Sequence, residues 1–103
     1  MAERSARLRL HPEVERDLEE GLRFYLGRSA VAGERFLADV DAGLALLQEA
    51  PERWPLFHLG TRRFVMAAFP YSIIYRKVGD EVQVIAVAHA KRRPTYWGKR
   101  RLR

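Results

Sequence analysis

Residues 69–89 read FPYSIIYRKVGDEVQVIAVAH, and the fold turns on how this stretch divides. Tyr71 to Lys77 is dense in β-branched and aromatic residues, which suit a pleated surface. Val78-Gly79-Asp80-Glu81 is a turn signal, with Gly79 as the turn glycine. Val82 to His89 is the most apolar run, as expected of a central strand. Upstream, Arg62 to Phe69 is again rich in strand formers, and Pro70 separates it from the next run. Three such strands in series predict an antiparallel meander. Phe69-Pro70-Tyr71 reads as a turn with core anchors.

The N-terminal half has another period. Arg7 to Leu10 alternates basic and apolar residues and predicts a short strand, with Arg7 and Arg9 outward and Leu8 and Leu10 inward. His11-Pro12 ends it, and Pro12 suits a first helical turn, where no N–H partner is needed. Glu13, Glu15 and Asp17 follow, acids that the helix dipole favours. Val14, Leu18, Leu22 and Tyr25 form one helical stripe, and Phe36, Val40, Leu44 and Leu47 form a second. Gly27 and Gly33 bracket the break, Pro51 and Pro55 bound the far end, and Trp54 is expected to cover that end. The order β-α-α-β-β-β predicts an α+β domain: a helical hairpin on one face of a small, mainly antiparallel four-stranded sheet. The first strand adds at an edge. The other face is expected to stay at least partly open as a binding surface.

Length and composition narrow the function. The 103 residues suit one domain, 1–103, with a basic tail over about 91–103. With 48% hydrophobic and 31% charged residues the composition is globular. Cysteine is absent, which excludes a disulfide scaffold, a cysteine nucleophile, a thiolate zinc site and an iron–sulfur cluster. His11, His58 and His89 lack metal-ligand spacing, so no metal or cofactor is expected. No phosphate-cradling glycine loop is present. No apolar run approaches the ~18 residues of a membrane span, and the charged N-terminus lacks the apolar core of a secretory signal. A soluble, cytoplasmic protein is expected.

Charge is unevenly placed. Residues 1–52 carry seven arginines against eleven acids, a net of −4, and residues 53–103 carry twelve cations against Asp80 and Glu81, a net of +10. Lys91 to Arg103 holds seven cations and no acid. Such a field steers polyanions or acidic proteins toward the C-terminal half. Pro94, Tyr96 and Trp97 are interleaved with these charges, which a merely solubilising tail does not need.

Several pieces together resemble the RelE/ParE family of bacterial toxins from type II toxin–antitoxin systems. They are His11-Pro12-Glu13, Phe24-Tyr25, Phe36, Pro51 to Pro55, Arg62-Arg63-Phe64, Phe69 to Tyr75, Val84 to His89, and Arg92-Arg93-Pro94-Thr95-Tyr96-Trp97. The resemblance runs from about Leu8 to Arg100 and looks most like the ParE side, often described as plasmid-stabilisation proteins. It implies a growth-inhibiting toxin neutralised by a cognate antitoxin in a hetero-oligomer. The family divides between ParE-type members, which act on DNA gyrase, and RelE-type members, which cleave messenger RNA on the ribosome. A shared fold does not choose between them.

Metal-free RNA cleavage needs a base, an acid and cations for the developing charge. His89, Arg92 and Tyr96 are the candidates for catalytic roles, with Arg93, Arg76 and Arg63 as further cations. Pro94 and Trp97 match the ParE-like pattern instead, and no lysine pair precedes the second strand. Partner contact is expected from Arg62, Arg63, Arg76, Arg92, Arg93, Trp97 and Arg100, with Trp97 open between contact and packing. The leading reading is a gyrase-directed toxin whose open sheet face and basic segment receive an acidic antitoxin segment. Once free of antitoxin, surfaces such as Arg92–Arg101 would contact gyrase. The alternatives are a ribosome-dependent endoribonuclease and a non-toxic antitoxin-binding relative.

Overall fold

His11 and Pro12 convert a strand into a helix. In the computed structural model, which describes residues 6–102, β1 (Arg7–Leu10) runs into α1 (Pro12–Leu26). The His11 side chain caps the helix: its Nδ1 accepts the Glu13 N–H at 3.0 Å. Residues 1–5, read for a targeting signal, and Arg103 of the basic tail lie outside the described residues. After Gly27 the chain reverses, and Ser29 caps α2 (Ala30–Glu49), its Oγ accepting the Ala32 N–H at 3.0 Å. A three-residue connection forces two long helices to lie antiparallel.

Both predicted stripes face inward. Val14, Phe36, Val40 and Leu47 are buried, and Leu18, Leu22, Tyr25 and Leu44 pack against them. Small residues set the close contacts. A Cβ at Gly43 would stand 2.7 Å from the Phe64 ring and 2.9 Å from Ile73 Cδ1, so α2 rests directly on the sheet there.

After a single 3-10 turn (His58–Gly60) come β2 (Arg62–Val65), β3 (Tyr71–Val78) and β4 (Glu81–His89). The sheet order is β1-β4-β3-β2. The last three strands form the expected meander, and β1 adds at the edge, parallel to β4. The apolar β4 is therefore internal. β2 is shorter than the run of strand formers because the chain turns at 66–70 toward Pro70. Leu10 also departs from expectation: it is 43% exposed, being the last residue of an edge strand with no outer neighbour.

Two features escape the simple alternation. Tyr75 pairs with Val84 and Ile74 with Ala86, so Ile85 is an extra residue, a β-bulge. The bulge turns both Ile85 and Ala86 to the face away from the helices, where they cluster with Ile74. That face is open only in part. Trp97 lies over it, only 2% exposed, joined by Phe57, Tyr96 and Leu102. The physical reason is the apolar character of β4 itself. Ile74, Ile85 and Ala86 need cover from water, and the tail supplies it. The far end of this face is polar: Arg9 lies 3.2 Å from Glu81, and Gln83 donates to the same carboxylate at 2.8 Å.

No helix among the described residues is long and apolar enough to cross a membrane. The tight seat of α2 has a measurable consequence. Gly43→Val should destabilise the fold by about 1–3 kcal/mol through overpacking, seen as a lower urea midpoint with an unchanged slope.

Candidate functional site

The C-terminal tail is held by one buried carboxylate. Asp17 projects from the inward face of α1 and is 5% exposed. Its Oδ2 accepts the Val87 N–H at 3.0 Å, a backbone group of β4 beyond the reach of the short β1. Arg100 approaches both carboxylate oxygens, Nη1 to Oδ2 at 2.7 Å and Nη2 to Oδ1 at 3.1 Å. The same Nη1 donates to the Ile85 carbonyl at 3.0 Å, the oxygen of the bulge residue. Tyr96 completes the group, its hydroxyl donating to Oδ1 at 3.3 Å. One ion pair thus satisfies a stranded N–H and a stranded carbonyl while tying the tail to the helical layer.

The ionisation states follow. Burial first, and then the Asp17 charge, push the Tyr96 hydroxyl up to about 12. It stays protonated and donates. Burial works against the Arg100 charge, but the hydrogen bond and charge of Asp17 outweigh it and hold the guanidinium above its ordinary range.

The three residues considered for cleavage do converge. His89, Arg92 and Tyr96 line a cavity of about 200 Å³ together with Asp17, Glu20 and Tyr71. Each is already engaged. His89 Nδ1 accepts the Lys91 N–H at 3.0 Å, and its ring meets Tyr71 edge to face at 4.9 Å. Arg92 lies 3.8 Å from Glu20 and 3.8 Å above the Tyr96 ring. Two carboxylates border this cavity, and each is matched by an arginine, Asp17 by Arg100 and Glu20 by Arg92.

The expected partner contacts separate into two groups. Arg63 and Arg93 line a second cavity of about 100 Å³, with His89 and Arg92 on its wall. The Arg63 guanidinium lies 4.5 Å over the Phe57 ring, and both Arg63 and Arg93 are exposed. Arg62, Arg76, Trp97 and Arg100 are placed otherwise. Arg62 holds the 52–54 loop, donating to the Trp54 carbonyl at 2.6 Å and the Glu52 carbonyl at 3.3 Å. Arg76 donates to the Leu59 carbonyl at 2.9 Å. Trp97 is core, and Arg100 is the buried partner of Asp17, so the expectation that these two face a partner is corrected: burial and ion pairing occupy them. Trp54 packs on Phe64 at the end of the hairpin, as expected, with ring centroids 5.1 Å apart.

Asp17 was missed as a site residue because it sits in a run of helix-start acids. The signal was its spacing: it falls three residues after Val14 and four before Gly21, on the apolar stripe. Among the described residues, no three His, Asp or Glu gather closely enough to hold a metal ion.

The model for the ParE toxin of the type II toxin–antitoxin system parDE matches residues 8–94. The chain belongs to the ParE toxin family. No curated protein matches it. Among solved structures it is similar to a chain of the chromosomal ParDE toxin–antitoxin system from P. aeruginosa, at 18% identity and a TM-score of 0.74, over 84% of this chain and 98% of that one. That likeness concerns the fold: two helices against an open four-stranded sheet. As a ParE-family toxin, the chain has an antitoxin as its implied partner. The family match ends before Tyr96, Trp97 and Arg100, so the Asp17 assembly joins the matched domain to residues beyond the matched span.

Breaking the buried pair by Asp17→Ala should cost about 3–5 kcal/mol, read by urea unfolding, and should make the tail cleavable by trypsin at Lys99 and Arg101. His11 provides a pH test. Burial first, and Arg100 second, hold its imidazole below the ordinary 6.5. The folded chain binds that proton less readily than the unfolded one. Stability from the neutral cap is complete above about pH 6.5 and is lost as pH falls through the lower folded-state value. His11→Asn, which keeps a capping oxygen, should flatten that acid limb in melting curves.

Proposed function

We propose that this ParE-family chain inhibits growth by acting on DNA gyrase in the cytoplasm, and that its antitoxin neutralises it by docking on the exposed guanidiniums of Arg63 and Arg93. One observation carries the choice over RNA cleavage. Two of the three candidates that converge are already committed: Tyr96 is a protonated donor to Asp17, and Arg92 pairs with Glu20. A general base must accept a proton near working pH, and a hydroxyl pushed up to about 12 does not. Arg100 and Arg92 are also balanced there by Asp17 and Glu20, which leaves no surplus arginine charge for the polyanion that a ribonuclease must seat. A toxin that grips proteins needs no such centre. The convergence of His89, Arg92 and Tyr96 on one cavity is what favours the ribonuclease reading, the second one.

Gyrase supercoiling with purified protein at micromolar concentration tests the proposal. Inhibition or trapped cleaved DNA is expected, and His89→Ala or Tyr96→Phe should leave growth arrest intact. No effect on gyrase, together with arrest abolished by either substitution, would instead select RNA cleavage. The antitoxin association rate should fall as salt rises, because exposed charges are screened within ~8–10 Å at physiological ionic strength. Stopped-flow mixing at two salt concentrations measures this.

A further inference from the structure

A narrow groove opens on the tail-covered face of the sheet, where β2 and β3 meet the C-terminal turn. Ile74 and Ala88 line its apolar floor, Phe57 and Trp97 its walls, and Arg63 and Arg93 its rim. Its volume is about 100 Å³, the space of roughly three waters, which admits one short side chain. The rim cations differ from the other arginines of this region. Arg62, Arg76 and Arg100 are spent on backbone carbonyls or Asp17, and Arg92 on Glu20. Arg63 touches only the Phe57 ring, and the Arg93 guanidinium has no bond among the described residues. Two unspent guanidiniums over an apolar floor suit a carboxylate on a short aliphatic stem, because the planar fork pairs with carboxylate oxygens.

The surroundings indicate what carries that carboxylate. Val65 is 60% exposed and Leu59 57% exposed, and Leu59 lies against Gly98, next to the Trp97 wall. β2 is an edge strand whose outer side is bridged, among the described residues, only at Leu56–Arg62. An extended peptide can follow such an edge, placing alternate side chains on one face. A nucleic acid fits poorly. Single strands bind by stacking bases on open aromatic faces, and here Trp97 is buried while Arg63 and Arg92 cover Phe57 and Tyr96. A polyanion would also leave Val65 and Leu59 wet.

We infer that this groove takes a carboxylate side chain from an extended acidic segment of the antitoxin, held between Arg63 and Arg93, with a neighbouring aliphatic side chain of the same segment on Val65. The inference rests on the reading of the chain as an antitoxin-neutralised toxin, and it adds the site and the chemistry of contact.

The test uses Arg63→Glu combined with Arg93→Glu, both exposed positions, with circular dichroism to verify folding. A fluorescent decapeptide of alternating glutamate and leucine is the first probe. Binding to the parent protein should weaken at least 10-fold in the double variant, and a ten-residue oligothymidylate should not displace the peptide. Equal binding by the variant, or displacement by the oligonucleotide, overturns the inference. Should the variant misfold, Arg63→Gln with Arg93→Gln replaces it under the same criteria. Calorimetry with the antitoxin is the second measurement, and again a 10-fold or greater loss is expected. Unchanged antitoxin affinity overturns the inference while leaving the toxin reading intact, and so does unchanged affinity with lost gyrase inhibition, which would assign the groove to the target. An antitoxin that fails to bind the parent protein sinks the toxin reading, and the peptide result alone then decides the groove.

Discussion

The pairing of Asp17 with Arg100 is the constraint on which the rest of the structure depends. β1 is four residues long and leaves the β4 edge bare from Val87 onward, and the bulge at Ile85 strands a carbonyl. Unpaired backbone groups away from water are costly. A carboxylate from the helical layer and a guanidinium from the tail satisfy both at once, and they neutralise each other. Buried ion pairs are weak evidence of net stability, because desolvation offsets much of their attraction. Their strength lies in specificity. Four hydrogen bonds converging on one carboxylate define where the tail runs, and thereby which face of the sheet Trp97 seals.

Seen from that constraint, the positive charge of the C-terminal half is not one field. Some guanidiniums are structural parts, tying loops to strands through backbone carbonyls or closing the tail. Others stand at the rim of a groove with nothing to neutralise them. Formal charge counts treat these alike, yet only the second kind is available to an incoming anion. Acidic groups are sorted as well. Asp17 and Glu20 sit beside the cavity where His89, Arg92 and Tyr96 meet, and there they balance Arg100 and Arg92.

Much of the fold was legible because it depends on local period. The helical stripes, the Ser29 and His11-Pro12 boundaries, the Gly79 turn and the central place of β4 each follow from spacing or from a turn residue. What was not legible depends on distant partners. Ile85-Ala86-Val87 is apolar throughout, so no break in alternation announces the bulge. Trp97 among cations reads equally as contact or as packing until the apolar face that it covers is known. Arg62, Arg76 and Arg100 read as free charges because their acceptors are mostly backbone oxygens, which no side-chain pattern reveals. Asp17 was readable in principle, as an acid on an apolar stripe, but neighbouring acids concealed it.

The parallel register that sets Arg7 opposite Glu81 joins the two halves of the chain across most of its length. The Asp17–Arg100 bond spans 83 positions. Contacts between such distant positions form late and slowly, since closing a long loop precedes any reward. A chain emerging from the ribosome can wind its helices early, but its sheet waits for the last strand and its sealed face waits for the tail. A nascent or truncated copy without residues 96–102 therefore lacks the finished surface and leaves Ile74 and Ile85 uncovered.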